Sequence, residues 1–515
     1  MPTRRDVLRI LIASSGALYL GPALGSCSSR KGSLVRSSGE RQRVEHQSYQ
    51  AAHRYIRDHQ TTTLDWNAAE RHSADVVIVG AGPAGIAAAV QIHTAGCQIA
   101  LIENEHVPGG AARAGTYNDV HYPLGSIYYV EHNAAIEDLC RFAGVTPVAV
   151  PDDTLVLNGT SYHNLWDDAT IALLPVDRTD KDSLRRFRDD LLRMRERDQI
   201  PEYPLPSVLP NQLRELDNRT GAEFVARYRC QLLYTVLDMY ARSSMGASLD
   251  QVNAYALLNF YANEINVPRF TFAGGLGGLV LPIANKLGDA TVTGRTCIRI
   301  TNDGNDANVW TIDQEGKLYR YQARAVIVAI QKFMLPWIIP DLPEPQQAAI
   351  RSLHYAPFLT VHLCSSTSIL PAGFDIWLPE GDTLFTDIIN ANATLGSAAT
   401  TTAVASIYAP RNPSERAVMQ SDDVLAAFAR KIAERALQVL PEADSEAIEE
   451  IHVFGWGHAL VVPVPGSHSS TAQQAQMPFG RILFANTDND SAPAFENAVA
   501  HGVRAAEQVI ELLKQ

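Results

Sequence analysis

Apolar runs along this chain change period at residues 75–90, DVVIVGAGPAGIAAAV. After Asp75 every residue up to Val79 is aliphatic, which suits a parallel strand buried on both faces. The alanine-rich stretch beyond the glycines predicts a helix, and QIALIE (98–103) predicts the next strand. Further along, DSLRRFRDDLLRMRERDQ (182–199) carries its apolar residues at helical spacing, with mixed charges that make a solvated face. The proline-rich IPEYPLPSVLP (200–210) stops it, and GAEFVARYRCQLLYTVLDMYA (221–241) predicts a more buried helix. LHYAPFLTVHLCSS (353–366) reads as strand. Strands alternating with helices predict an α/β protein.

The glycines at the change of period carry chemistry. Gly80, Gly82 and Gly85 have the spacing in which the first permits a tight turn, the second lets backbone approach a pyrophosphate and the third packs helix on strand. Pro83 and Ala84 complete that turn. The pyrophosphate sits on the helix N-terminus, where unpaired N–H groups and the dipole favour negative charge. Glu103, ending the second strand, is placed to accept hydrogen bonds from a ribose hydroxyl. Together these residues predict a dinucleotide site. At 515 residues and 46% hydrophobic, the chain is long enough for two or more domains. Its net charge of -13 opposes nucleic acid and leaves a small molecule as the expected ligand. The six cysteines show no metal or thiol-redox spacing, so no metal is expected.

The dinucleotide motif starts late because other signals precede it. TRRDVLR (3–9) and the uncharged stretch 10–26 have the layout of an export signal. Arg4 and Arg5 resemble the pair of a twin-arginine signal, and LGSC (24–27) resembles a lipobox in which Cys27 is acylated, the alternative being an ordinary signal cleaved elsewhere with Cys27 lost. The expected address is the periplasm or cell envelope, with residues 1–27 as signal and 28–72 as linker.

The residues just after Glu103 separate FAD from NAD. VPGGAARAG (107–115) supplies Gly109 and Gly110, with Arg113 able to pair with the pyrophosphate. These residues resemble the GG-doublet flavoproteins: amine oxidases, polyamine oxidases and dehydrogenases, and phytoene desaturases. Those proteins have Arg directly after the doublet, a place held here by Ala111. VHYPLGSIYY (120–129) resembles the family segment with a glycine beneath the flavin ring, at Gly125. Residues 270–300 resemble its glycine-rich turn, helix and strand, and the resemblance implies that backbone around Ile298 meets the adenine side. WTIDQEGKLYRYQARAVIVAI (310–330) supplies a hairpin and a buried strand ending near Ala329. The segment 480–510 resembles the closing motif, with Asp488 near the ribityl or phosphate and Ala498 in the helix that points at the flavin. FGWGHALVVPVPG (454–466) and FGRILFANTDND (479–490) resemble bacterial spermidine dehydrogenases and their relatives in particular. The implied fold is a Rossmann-like FAD-binding domain assembled from 73–150, 268–345 and 450–515, with a mixed α+β substrate domain from 151–267 and 346–449.

The resemblance implies an FAD-dependent oxidoreductase that takes a hydride from a carbon beside an amine nitrogen, with FAD held non-covalently. Such a site is apolar and aromatic. Trp456, His458, Phe495 and His362 are the catalytic candidates, with His458 expected in a loop. Ala494 falls where monoamine oxidases have one of two caging aromatic residues, so half of that cage is missing. A desaturase-like enzyme acting on an apolar chain and a flavin-bound scaffold without turnover are the alternatives.

Overall fold

The computed structural model describes residues 41–514 apart from 131–132, 207–208, 380–383, 395–401 and 441–442. The segments 3–26 and 24–27, expected to be an export signal and a lipobox, lie outside the described residues. Among the described residues, two sheets dominate.

The first has seven strands, and its first strand in the chain, Glu70–Val79, ends where the glycine turn begins. Its parallel centre sets Ile99–Ile102, Glu70–Val79, the end of Leu318–Val328 and Ile482–Phe484 side by side. Val76 to Val79 are almost wholly buried, as an unbroken apolar run requires. An antiparallel meander of Thr296–Asn302, Ala307–Ile312 and Leu318–Val328 extends it. Pro83–Thr94, Gly277–Leu287 and Phe495–Lys514 share one core with the sheet. Segments far apart in sequence therefore build one layer. Gly502 of the last helix meets the first so closely that a Cβ there would lie 2.2 Å from Ala84 O.

The second sheet has eight strands, ordered Arg41–His46, Ile448–Val462, His354–Ser365, Ala403–Pro410, Asp387–Asn390, Asp375–Trp377, Thr154–Leu157 and Thr160–His163. A helical layer packs against it around Arg178–Glu196, Gln231–Met245 and Ala254–Ala262. Arg178–Glu196 is capped by Asp177 and buries Leu184, Phe187 and Leu191, one face of a helix.

Three expectations are corrected. The stretch 28–72 is not linker throughout, because Arg41–His46 pairs with residues 450–455 and the next strand already starts at Glu70. The apolar 221–241 run is two helices, Gly221–Val225 and Gln231–Met245, since Arg229 turns left-handed and Cys230 caps the second. His458 lies within the long strand Ile448–Val462, so it is not in a loop.

Candidate functional site

Backbone builds the glycine turn. Gly80 has φ of 102°, and a Cβ there would meet Ile330 Cγ2 at 2.8 Å and Ala329 O at 2.9 Å. At Gly85 a Cβ would fall 1.8 Å from Gly80 O. At Gly82 it would meet only Gly110 Cα, at 3.7 Å, so the turn faces the glycine doublet. Gly109 and Gly110 both have positive φ. Pro83 opens the helix, and no side chain caps its N-terminus. Those N–H groups remain for a ligand.

Glu103 is buried and accepts N–H from Ala81 (2.8 Å) and Glu105 (2.9 Å), one on each oxygen. Burial raises its pKa, with those two donors opposing. Two single bonds leave carboxylate capacity for ribose hydroxyls. Ile298 is buried at the irregular step of its strand, between Cys297 and Arg299. Arg113 is 9% exposed, with its guanidinium 4.8 Å from the Phe454 ring centre and 5.1 Å from that of Trp456. Its Nε has no hydrogen-bond partner. A buried, unpaired arginine donor beside two glycines and a bare helix N-terminus fits the diphosphate of FAD.

Asp488 is buried in the closing motif, where its Oδ2 accepts Lys332 N–H (2.8 Å) and Tyr355 O–H (2.6 Å). Lys332 was not singled out from the sequence. It is fully buried, donates from Nζ to Asn486 and Asn489, and burial lowers its pKa to about 8. Ala498 is buried in the closing helix.

A cavity of about 320 Å³ adjoins Gly125. A Cβ on Gly125 would lie 2.3 Å from Ala111 O and 3.4 Å from Trp456 Cζ2, and its own carbonyl accepts the Tyr408 hydroxyl at 2.6 Å. Phe358, Trp456, Phe495 and Ala494 also line the space. Trp456 is fixed by donation from Nε1 to Leu124 O (2.8 Å).

The cavity is also acidic: Glu202, Glu264, Asp375, Asp387 and Glu496 line it. Register explains the assembly. Thr360 pairs with Tyr408, Tyr408 with Asp387, and Asp387 with Trp377, so alternate residues of four strands share one face. Asp375 and Asp387 are 6% and 4% exposed, and Oδ1 of each has no donor. Burial, then the charge of Asp387, raises the Asp375 pKa well above the ordinary carboxylate range. Burial raises Asp387 to about 6. Glu264 accepts the Tyr128 and Tyr240 hydroxyls and faces Arg269, which is itself held by Asp153. Glu496 accepts the Val130 N–H, and burial brings it to about 7.

The structure thus brings Trp456, Phe495 and Gly125 to one cavity, but neither histidine. His362 lies beyond Thr360 on its strand, bonded to Ser406 (2.9 Å) against the Tyr122 ring, and burial keeps it neutral. His458 stacks on Phe333 at 4.0 Å, and burial lowers its pKa to about 3. Asp375 and Asp387 were missed, although FDIW and FTDII each set an acid among apolar residues.

The model of the flavin containing amine oxidoreductase family matches residues 83–510. Oxidoreductase PigB of Serratia sp. is 23% identical over 275 residues, 51% of this chain and 41% of that protein. This chain therefore matches under half the length of that relative. The flavin-containing amine oxidase B of Cavia porcellus is 24% identical over 85% of this chain and 86% of its own. Among solved structures, cyclohexylamine oxidase from Brevibacterium oxydans superposes with a TM-score of 0.68 at 19% identity, covering 86% of this chain and 100% of its own.

Proposed function

The chain belongs to the flavin-containing amine oxidoreductase family, whose cofactor is FAD, and we propose that it oxidises an amine bearing a second positive charge. The observation that carries this reading is one cavity lined by both aromatic and acidic side chains. FAD, when bound, supplies the hydride acceptor. The chain's own residues do the rest. Trp456, Phe358, Tyr408 and Phe495 exclude water from the reacting end. Glu496, titrating near neutrality at the cavity wall, takes up the ammonium proton so that the reacting nitrogen is neutral. Asp387 lies three strands from Trp456, about 14 Å at ordinary strand spacing, and receives the distal cation. An apolar chain would leave these buried acids unpaired, which weighs against a desaturase-like reaction.

Anaerobic titration of the purified protein with n-alkylamines and α,ω-diamines of equal length tests this. Bleaching of the flavin absorbance by amines is expected, at lower concentration for diamines. No bleaching by any amine would overturn the reading. The FAD is held without a cysteinyl link: monoamine oxidases attach it through a cysteine shortly before the closing motif, and no cysteine follows Cys364 here. Acid precipitation should leave the colour in the supernatant, and colour in the pellet would refute it.

Export of the folded holoprotein by the twin-arginine route, with lipid attachment at Cys27, belongs to the same proposal. Replacing Arg4 and Arg5 with Lys should hold the yellow protein in the cytoplasm on fractionation. Normal amounts in the envelope would remove that part.

A further inference from the structure

Residues 41–69 precede the span matched by the family model, which starts at 83, yet they are bonded to both walls of the cofactor site. Arg41–His46 runs parallel to residues 450–455. The chain leaves that strand at Gln47, whose N–H donates to Gly455 O (3.2 Å) and whose Oε1 accepts from Gly457 N (3.2 Å). Gly457 is next in the chain to Trp456, which lines the cavity. One residue later the chain is bonded to the opposite wall. Ser48 donates from N (2.7 Å) and Oγ (3.0 Å) to the two oxygens of Glu105. Its carbonyl accepts from Asn104 Nδ2 (2.9 Å), and Asn104 in turn accepts from Thr296 Oγ1 (2.6 Å). Asn104 and Glu105 directly follow Glu103, the ribose candidate. Beyond them Tyr55 and Ile56 enter the core beside Ile298.

The crossing fixes an arginine. Glu105 Oε2 accepts from Arg113 Nη1 (3.3 Å), while the guanidinium lies over the Phe454 and Trp456 rings with Nε unpaired. Held on one side by Glu105 and on another by two ring faces, Arg113 has little freedom to turn away. Glu105 is itself held by Ser48. We propose that residues 47–57 form a clasp across the FAD groove, in which Ser48 and Glu105 are positioning residues that hold Arg113 toward the diphosphate, so that FAD leaves only when the crossing opens. The proposal rests on FAD occupying the groove, and not on which substrate it oxidises.

The test is the rate at which the holoprotein releases FAD, followed by the rise of flavin fluorescence after dilution. Glu105→Ala should release FAD about tenfold faster and Ser48→Ala about threefold faster, because the first removes the ion pair to Arg113 and both Ser48 bonds while the second removes only the bond from the hydroxyl to the carboxylate. Ser48→Thr should restore the parent rate. The melting temperature of the apoprotein should not follow this order, because the clasp acts on the loaded form. Release within twofold of the parent in both alanine variants would overturn the proposal. Hydrogen exchange gives a readout without substitutions: amides of residues 41–57 should lose protection when FAD is removed. Equal exchange with and without FAD would also overturn it. A chain that takes up no FAD would overturn the cofactor reading and the clasp together, whereas loaded protein with unaltered release would sink the clasp alone.

Discussion

The glycine turn at residues 80–85 and the acidic corner at Asp375 and Asp387 solve opposite problems in binding charge. The turn offers main-chain N–H groups and a helix dipole to an anion, with no side chain between. In the proposed function the corner offers side chains to a cation, on neighbouring strands whose register sets Asp375 opposite Ile389 and Trp377 opposite Asp387. Backbone geometry tolerates no added atom: a methyl group at Gly85 falls 1.8 Å from a carbonyl oxygen. The corner tolerates isosteric change, because its cost lies in burying charge rather than in shape. The cofactor end should therefore fail by steric collapse and the acidic end by loss of selectivity.

Gly85→Ala is the harshest way to break this contrast. The clash is with backbone that cannot yield, so the cost should exceed the about 1–3 kcal/mol of ordinary overpacking. The expected result is little soluble protein and none of it yellow. A stable, FAD-loaded Gly85→Ala protein would mean that the turn is not rigid.

Glu103→Ala separates ribose binding from the turn. Losing a charge-assisted hydrogen bond should weaken FAD by about 1.5–3 kcal/mol, or about 10- to 150-fold. Because Ala81 and Glu105 also donate to this carboxylate, some melting temperature should be lost as well. Flavin reduction in the fraction that stays loaded should be unchanged. Equal FAD affinity in variant and parent would remove Glu103 from the cofactor site.

Asp387→Asn makes the mildest change, and pH reads it. Burial raises the Asp387 pKa to about 6, so the side chain is neutral below that value and charged above it. Binding of a diamine should therefore strengthen as pH rises through 6, and this rise should flatten in the variant while monoamine binding stays within about twofold. Folding carries the opposite sign. A carboxyl whose folded pKa is raised binds its proton more tightly folded than unfolded, so its contribution to stability declines as pH rises from the unfolded value toward 6. Removing the charge should make the variant more resistant to urea than the parent at pH 8. A diamine pH profile that Asp387→Asn leaves intact would place the distal cation elsewhere.

Legibility followed how local each determinant is. The glycines at 80, 82 and 85, Glu103 and the doublet at 109–110 lie within about thirty residues, and their spacing alone specifies a turn and a helix end. The two histidines show the opposite case. His458 and His362 carry suitable chemistry, yet one stacks on Phe333 and the other packs against Tyr122, each neutral through burial. His362 shares the face of Thr360 but lies one repeat further along its strand, and His458 falls at the irregular step between the pairs of Trp456 and Leu460, so position along the strands leaves both outside the cavity.

By itself, then, the sequence determined the nucleotide-binding turn and the alternation of strands and helices, while FAD in particular was implied by resemblance to the GG-doublet flavoproteins. The turn and the alternation depend on backbone torsion and on apolar period, which are properties of neighbouring residues. Tertiary structure decided which acids share a cavity, which histidines lie outside it, and that Ser48 reaches Glu105 across 57 positions of chain. Those outcomes depend on sheet order and on the desolvation of each side chain, and neither quantity exists until distant strands have paired.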